Sequence, residues 1–342
     1  MMGLYPLGSR ELYGLNLMTD FLKQTIDVHD YVASNFAGQI MQSFSVNDIF
    51  KIYGSFQCFT RGTLINILRN ACQSLSIRMG ITLSSLTQVD NIVKVEFSDH
   101  SEGEYDLVVG ADGLNSTVRQ LAFSPNEYAY FNTGWGCWVW WADEPELNPT
   151  KVVEFWGVGK MLGIYPTNYK YGVVIASPMQ KNKTIAYPNR RQDIMSQCQI
   201  LSSQYPTLFS GIPTDDDLSM YYWPLSDVRS KIWYKNRVVL IGDAAVGFLP
   251  TAGIGASMAM ESAGVLADEL SRTNTTYINW ALSLYQKRRQ KRVEAIQNDS
   301  RKLAKYMFIK SPLLTKLRDF LLPYYSAKTI AKNIDKYFKT PI

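Results

Sequence analysis

Residues 106–119 read DLVVGADGLNSTVR, and residues 237–261 read RVVLIGDAAVGFLPTAGIGASMAME. Each stretch opens as a short, unbroken apolar run, the pattern of a strand buried on both faces. Each then sets a carboxylate beside a glycine, Asp112-Gly113 in the first and Gly242-Asp243 in the second. In an open α/β sheet, ligands bind in the crevice beyond the carboxyl ends of the strands. Gly110 and Ala111 are small enough to let a large planar ligand come close, and Gly113 can take a turn with positive φ. The Asp243 carboxylate suits the hydroxyls of a ligand, as acidic groups do in dinucleotide folds. Beyond it, Pro250, Gly253, Ile254, Gly255, Ala256 and Ser257 form a loop whose backbone N–H groups stay open at a helix N-terminus, where negative charge is stabilised. A plain strand with an Asx turn, or glycines that merely stop and start helices, would explain either fragment alone. Both patterns filled in one chain argue for a binding site.

Around these two stretches the chain alternates in texture. Residues 8–23 carry Leu12, Leu15 and Phe21–Leu22 at helical spacing, and Arg61 opens a clearer helix with Leu64, Ile67, Leu68, Ala71 and Leu75 on one face. Period-2 segments on either side of Asp90-Asn91 predict a hairpin. From about Phe131 to Ser177, short aromatic and β-branched strands predict a mostly antiparallel sheet, joined later by residues 219–225 and then holding six of the eight tryptophans. Helices are expected near 190–205, at 256–270, and from about 277 to the end. The expected fold is α/β: a Rossmann-like layer interleaved with a β-rich insertion, plus C-terminal helices. The expected boundaries are 1–125 with 226–285 for the first domain, 126–225 for the β-rich domain and 286–342 for the basic helices.

At 342 residues, with 46% hydrophobic and 19% charged residues, the chain suits two globular domains and excludes a disordered or collagen-like polymer. Cys58, Cys72, Cys137 and Cys198 are widely spaced, which signals neither a zinc site nor a disulfide framework. Only two histidines, His29 and His100, are present, so a hydrolase triad or multi-histidine metal site would have to be built almost from nothing else, and a cofactor is expected to carry any chemistry. Between Tyr285 and Ile342 there are 15 basic and 4 acidic residues, a local +11 that leaves −6 on residues 1–284. A solvated helical face is the plainer explanation; weak contact with an acidic membrane surface, or contact with a phosphate-bearing ligand, is the sharper one. No nucleic-acid partner is expected. The N-terminus lacks a basic region followed by an apolar stretch, and glycines and Pro250 interrupt the longest uncharged run, Ala244–Met260. A cytoplasmic location is the expectation.

The two stretches resemble the Asp-Gly and Gly-Asp motifs of the para-hydroxybenzoate hydroxylase-like FAD monooxygenases, the flavin-dependent aromatic hydroxylases. Residues 59–68, FTRGTLINIL, resemble that family's arginine-led helix, while EFWGVGKMLGIYP and YYWPLSDVR resemble its substrate-domain sheet. The resemblance implies that Arg61 contacts the FAD pyrophosphate and that Asp112 and Gly113 serve FAD and NAD(P)H. It also implies that Gly242-Asp243 holds the flavin ribityl chain and that residues 250–257 lie against the isoalloxazine ring. By the same resemblance NAD(P)H reduces FAD, O2 then forms a flavin hydroperoxide, and one oxygen atom hydroxylates or epoxidises an aromatic or polycyclic small molecule. No catalytic side chain is implied. Trp138, Trp140, Tyr165 and Trp223 are candidates to line an apolar pocket, although packing of the sheet on its helices explains them better one by one.

Two positions depart from the family pattern. Val246 stands where His commonly follows G-D-A-A, and the G-x-G-x-x-G of the opening β-α-β unit is absent. Residues from Gly3 onward resemble the segment that normally succeeds that unit, so about 30 residues are expected to be missing ahead of them. That leaves two alternatives open: an FAD-deficient remnant that acts as a non-catalytic binding protein, and an FAD-dependent reductase without oxygenation.

Overall fold

The computed structural model describes residues 1–144, 146–179, 189–215, 217, 220, 222–325 and 335–339. Val238–Leu240 is fully buried and pairs in parallel with Val108–Gly110, register Val238↔Val108. Tyr234–Lys235 closes the other side of this three-stranded sheet. The two motif strands therefore lie side by side, and the turns after them open at the same end. One expectation fails here. Val108–Gly110 is not buried on both faces: it forms the edge of the sheet and exposes Val109.

A second sheet of seven strands runs in the order Tyr222–Ser230, Tyr128–Ala142, Tyr171–Pro178, Lys160–Tyr165, Lys151–Gly157, Asp30–Asn35, Ile40–Ser45. All its neighbours are antiparallel except Lys151–Gly157 with Asp30–Asn35. The expected first domain, 1–125, thus contains two strands that belong to the large sheet. Local pattern cannot reveal this, because the parallel pairing joins residues more than a hundred positions apart. Trp138 and Trp140 pack on the helices Arg190–Gln197, Gln199–Gln204 and Pro206–Ser210 through Ile194, Leu201, Leu208 and Phe209. Each ring removes roughly 200 Å2 from water, and Trp140 also donates from Nε1 to the Leu208 carbonyl at 2.8 Å. These two rings are core, and Trp223 is exposed.

The expected hairpin is present as Leu83–Val89 and Ile92–Phe97, with Asp90 at φ 51° in its turn. Residues 8–23 form two helices, Pro6–Gly14 and Met18–Leu22, broken at Asn16 (φ 59°), and Leu15 is exposed. The C-terminal region holds a thirty-residue helix, Ile278–Met307, and a shorter one, Pro312–Leu321. Residues 145, 180–188, 216, 218–219, 221, 326–334 and 340–342 lie outside the description, and with them parts of the expected 219–225 strand and basic tail.

Candidate functional site

The long helix and the helix Gly255–Ser271 hold the site's loops in place. Glu261 is fully buried and accepts from Arg292 Nε at 3.0 Å, from Arg10 Nη2 at 3.3 Å and from Arg289. This carboxylate ties together the helices Pro6–Gly14, Gly255–Ser271 and Ile278–Met307. Gln297 donates from Nε2 to the carbonyls of Val228 and Gly247, and Ser300 Oγ donates to that of Leu249 at 3.1 Å. The long helix thereby satisfies the loop carbonyls of Gly247 and Leu249 and ties the loop to the strand Tyr222–Ser230.

Gly242 has φ 55° and a Cβ there would lie 3.1 Å from Ala259, so the turn carrying Asp243 requires glycine. The Asp243 side chain still reaches solvent, yet protein crowds it on most sides. Desolvation pushes its carboxyl up to about 6, against the opposing pull of Arg61. Arg61 is exposed at the first position of Arg61–Ala71, whose cap is Thr60 accepting from the Thr63 N–H. Arg61 and Asp243 are 182 positions apart in sequence, yet the fold brings them near enough for the guanidinium to act on the carboxylate. Pro250–Ala252 forms a short 3-10 turn, Gly253 follows at φ 61° with open space where a Cβ would stand, and Gly255 starts the helix. Ile254 supplies no side-chain cap, so the first N–H groups of this 17-residue helix have no side-chain acceptor at that position. Ala256 packs toward Leu4 and Phe59 on the inner side.

Other expected site residues have structural work. Ser257 is fully buried, and its Oγ accepts from the Tyr5 N–H at 3.0 Å. Asp112 accepts from Ser116 Oγ at 2.5 Å and from the Val118 N–H at 3.0 Å, capping the short helix Thr117–Ala122 while remaining exposed. Gly113, at φ 81°, has nothing within 4 Å of a would-be Cβ, which fits a ligand-facing turn. Gly110 is a correction. Its missing Cβ faces Leu240 at 2.8 Å and Val118 at 2.9 Å, so its smallness serves strand and helix packing and not the approach of a ligand. Val246 is buried in the apolar core, which explains an apolar side chain there.

Arg119 carries more than its sequence position suggests. It is fully buried, donates to the carbonyls of Ala244 at 2.8 Å and Leu114 at 2.6 Å, and reaches Tyr130 Oη at 2.6 Å. One guanidinium therefore locks the Asp-Gly turn to the Gly-Asp turn. Sequence reasoning also missed a polar cluster on the large sheet. Glu154 accepts from Tyr31 Oη at 2.6 Å, Tyr165 Oη at 2.7 Å and Trp156 Nε1 at 2.8 Å. Burial, then the carboxylate beside them, pushes both tyrosines well above their ordinary range. Gly163, opposite Glu154, leaves room for the Tyr165 ring, which would stand 2.5 Å from a Cβ. Tyr5 packs in the same apolar cluster as Tyr31 and Tyr165, and its hydroxyl donates to the Ala252 carbonyl at 2.9 Å. It joins this sheet face to the loop of residues 250–257. No spacing rule finds such a cluster, because its members come from three strands.

The residues present fit FAD. Gly113 and Gly253 leave open space, Arg61 offers a cation for phosphate, and Asp243 is a poorly solvated acceptor for hydroxyls. Among the described residues no group of His, Cys, Asp and Glu is placed to hold a metal ion, and no helix is long and apolar enough to cross a membrane. The thiols of Cys58, Cys137 and Cys198 are buried, and desolvation pushes each up to about 12.

Comparison with known proteins agrees. A flavin-dependent monooxygenase of an unknown prokaryotic organism is 27% identical over 233 residues, covering 64% of this chain and 57% of that protein. The 2-heptyl-3-hydroxy-4(1H)-quinolone synthase of Pseudomonas aeruginosa is 29% identical over 233 residues, 66% of this chain and 58% of that protein. The chain thus spans a little over half the length of these curated relatives. Klebsiella pneumoniae HpxO, solved with FAD and uric acid, superposes with a TM-score of 0.84 at 22% identity, over 99% of this chain and 88% of that one. The family model for the FAD binding domain matches residues 53–300, which include Arg61, both motif turns and the loop after Gly-Asp; the chain belongs to the FAD binding domain family.

Proposed function

We propose that this chain binds FAD through Arg61, Gly113, Asp243 and residues 250–256, and that the protein is a flavin-dependent monooxygenase. The observation that carries the reading is the Gly242-Asp243 turn packed against Ala259, in the first turns of a helix that starts at Gly255 without a side-chain cap. Arg61 would pair with phosphate, Asp243 would accept from hydroxyls of the ribityl chain, and the N–H groups at Gly255 would favour negative charge on the ring. Bound FAD supplies two-electron chemistry with O2, which no side chain here can supply. NAD(P)H is the proposed reductant: its two electrons and O2 place one oxygen atom in the substrate and release the other as water.

The proposed substrate is an aromatic or polycyclic small molecule lying between the loop and the sheet face of Tyr31, Glu154 and Tyr165. The monooxygenase and quinolone synthase names of the relatives support this reading. Glu154 and its tyrosines would orient a polar edge of the substrate, and the apolar surroundings would exclude water. The test is purification of the full chain followed by FAD titration. Bound-flavin absorbance and a rise in melting temperature with FAD are expected; a colourless protein that FAD does not stabilise would overturn the proposal. Oxygen uptake that tracks NAD(P)H oxidation would separate a monooxygenase from a reductase.

A further inference from the structure

The helix Pro312–Leu321 is turned inside out. A surface helix ordinarily buries its apolar stripe and shows its polar one. Here Thr315 and Arg318 face inward, and Arg318 donates to the carbonyls of Trp156 at 3.1 Å and Tyr306 at 3.2 Å. Leu313, Leu317, Phe320 and Leu321 point to solvent, between 51% and 76% exposed, and Tyr324 just beyond is 75% exposed. The tip of the neighbouring hairpin adds Ile40 at 64%. A contiguous apolar patch of this kind marks an interaction site. Its border is basic: Lys305, Lys310 and Lys316 are exposed, and none is in an ion pair among the described residues. The nearest carboxylate on the helix, Asp319, is held by Arg318 at 2.7 Å. Between helix and hairpin lies a cleft of about 540 Å3, with Lys316, Asn35 and Gln39 among its walls.

We propose that this helix seats the protein on an anionic lipid surface, with the leucines and Phe320 at the acyl boundary and the lysines among the headgroups. The charge pattern chooses this occupant over a second copy of the chain. Two copies meeting face to face would bring like-charged lysine borders together, whereas an anionic leaflet neutralises them. The apolar face enters only the interface, as befits a ten-residue helix about 15 Å long. The proposal is independent of the flavin reading.

Sedimentation of the full chain with phosphatidylcholine vesicles, with and without phosphatidylglycerol, tests it. Binding is expected to the anionic vesicles and to be much weaker to phosphatidylcholine alone. Leu317→Glu with Phe320→Glu should abolish it while leaving the melting temperature and FAD binding unchanged. Lys310→Gln with Lys316→Gln should weaken binding to the anionic vesicles about thirtyfold, at the usual contribution per lysine near such a surface. Absence of sedimentation, or a leucine–phenylalanine variant that sediments like the parent, overturns the proposal. So does a solution dimer that the same variant converts to monomer, since the face then belongs to a second copy.

Discussion

Asp243 carries a cost that a bound ligand would relieve. Crowding by the surrounding protein pushes its carboxyl up from the ordinary 3.8 to about 6, against the opposing pull of Arg61, although the side chain still reaches solvent. The folded chain therefore binds a proton more tightly than the unfolded one, and stability from this group falls as pH rises from about 4 to about 6. Asp243→Asn removes the charge. The ligand-free variant should melt higher than the parent above pH 6, with the difference vanishing below pH 4, while its affinity for FAD falls. Melting curves across that range check the first half and flavin titration the second; parallel curves at every pH would contradict the assignment.

At the scale of elements, the site depends on how closely the helices Pro6–Gly14 and Gly255–Ser271 approach. Gly8 permits that approach: a Cβ there would stand 2.9 Å from the Cα of Ser257 and 2.5 Å from Leu4 Cδ1. Leu4 can shift, but the backbone of Ser257 cannot. Gly8→Ala should therefore cost about 1–3 kcal/mol and disturb the hydrogen bond from Tyr5 to Ser257. Chemical denaturation measures the loss, and a variant as stable as the parent would show that the helices have room to separate. The split of residues 8–23 belongs to the same scale. Periodicity suggested one amphipathic helix, but Asn16 takes a left-handed conformation and turns the chain, which buries Leu12 and Phe21 and leaves Leu15 outside.

For the whole molecule, the large sheet is shared between distant segments. Asp30–Asn35 lies in parallel register along Lys151–Gly157, and Ile40–Ser45 forms the edge beyond it. At the opposite end, Asp227 on Tyr222–Ser230 is fully buried and accepts from Arg301 Nε at 2.8 Å and Nη2 at 2.5 Å. The segment 126–225 therefore lacks one pair of strands and the helix that covers the other end. Expressed alone, it should not fold to a cooperative unit, because Val152 loses Val28, Val46 and Phe50 and Trp156 loses Ala33, Met41 and Met307. Dispersed amide resonances or a sharp thermal transition from that fragment would refute the claim.

Much of the proposed site rests on residue order alone. Arg61, Asp112-Gly113, Gly242-Asp243 and the 250–257 loop follow local rules: a buried strand ends, a carboxylate comes next, and glycines take backbone angles that other residues avoid. The hairpin at Asp90 and the aromatic sheet were legible for the same reason, since side-chain alternation is local. Tertiary structure alone decided which of those residues have partners within the protein. Gly110 makes room for strand and helix packing, the Ser257 hydroxyl accepts from the Tyr5 N–H, and Arg119 clamps two turns together. Glu154 gathered two tyrosines and a tryptophan, two of them from neighbouring strands. The outward apolar face of Pro312–Leu321 also needed the fold, because a helical period states that a stripe exists but not which side the protein covers. Periodicity is a property of neighbours in sequence, whereas burial and pairing are set by residues that only the folded chain brings together.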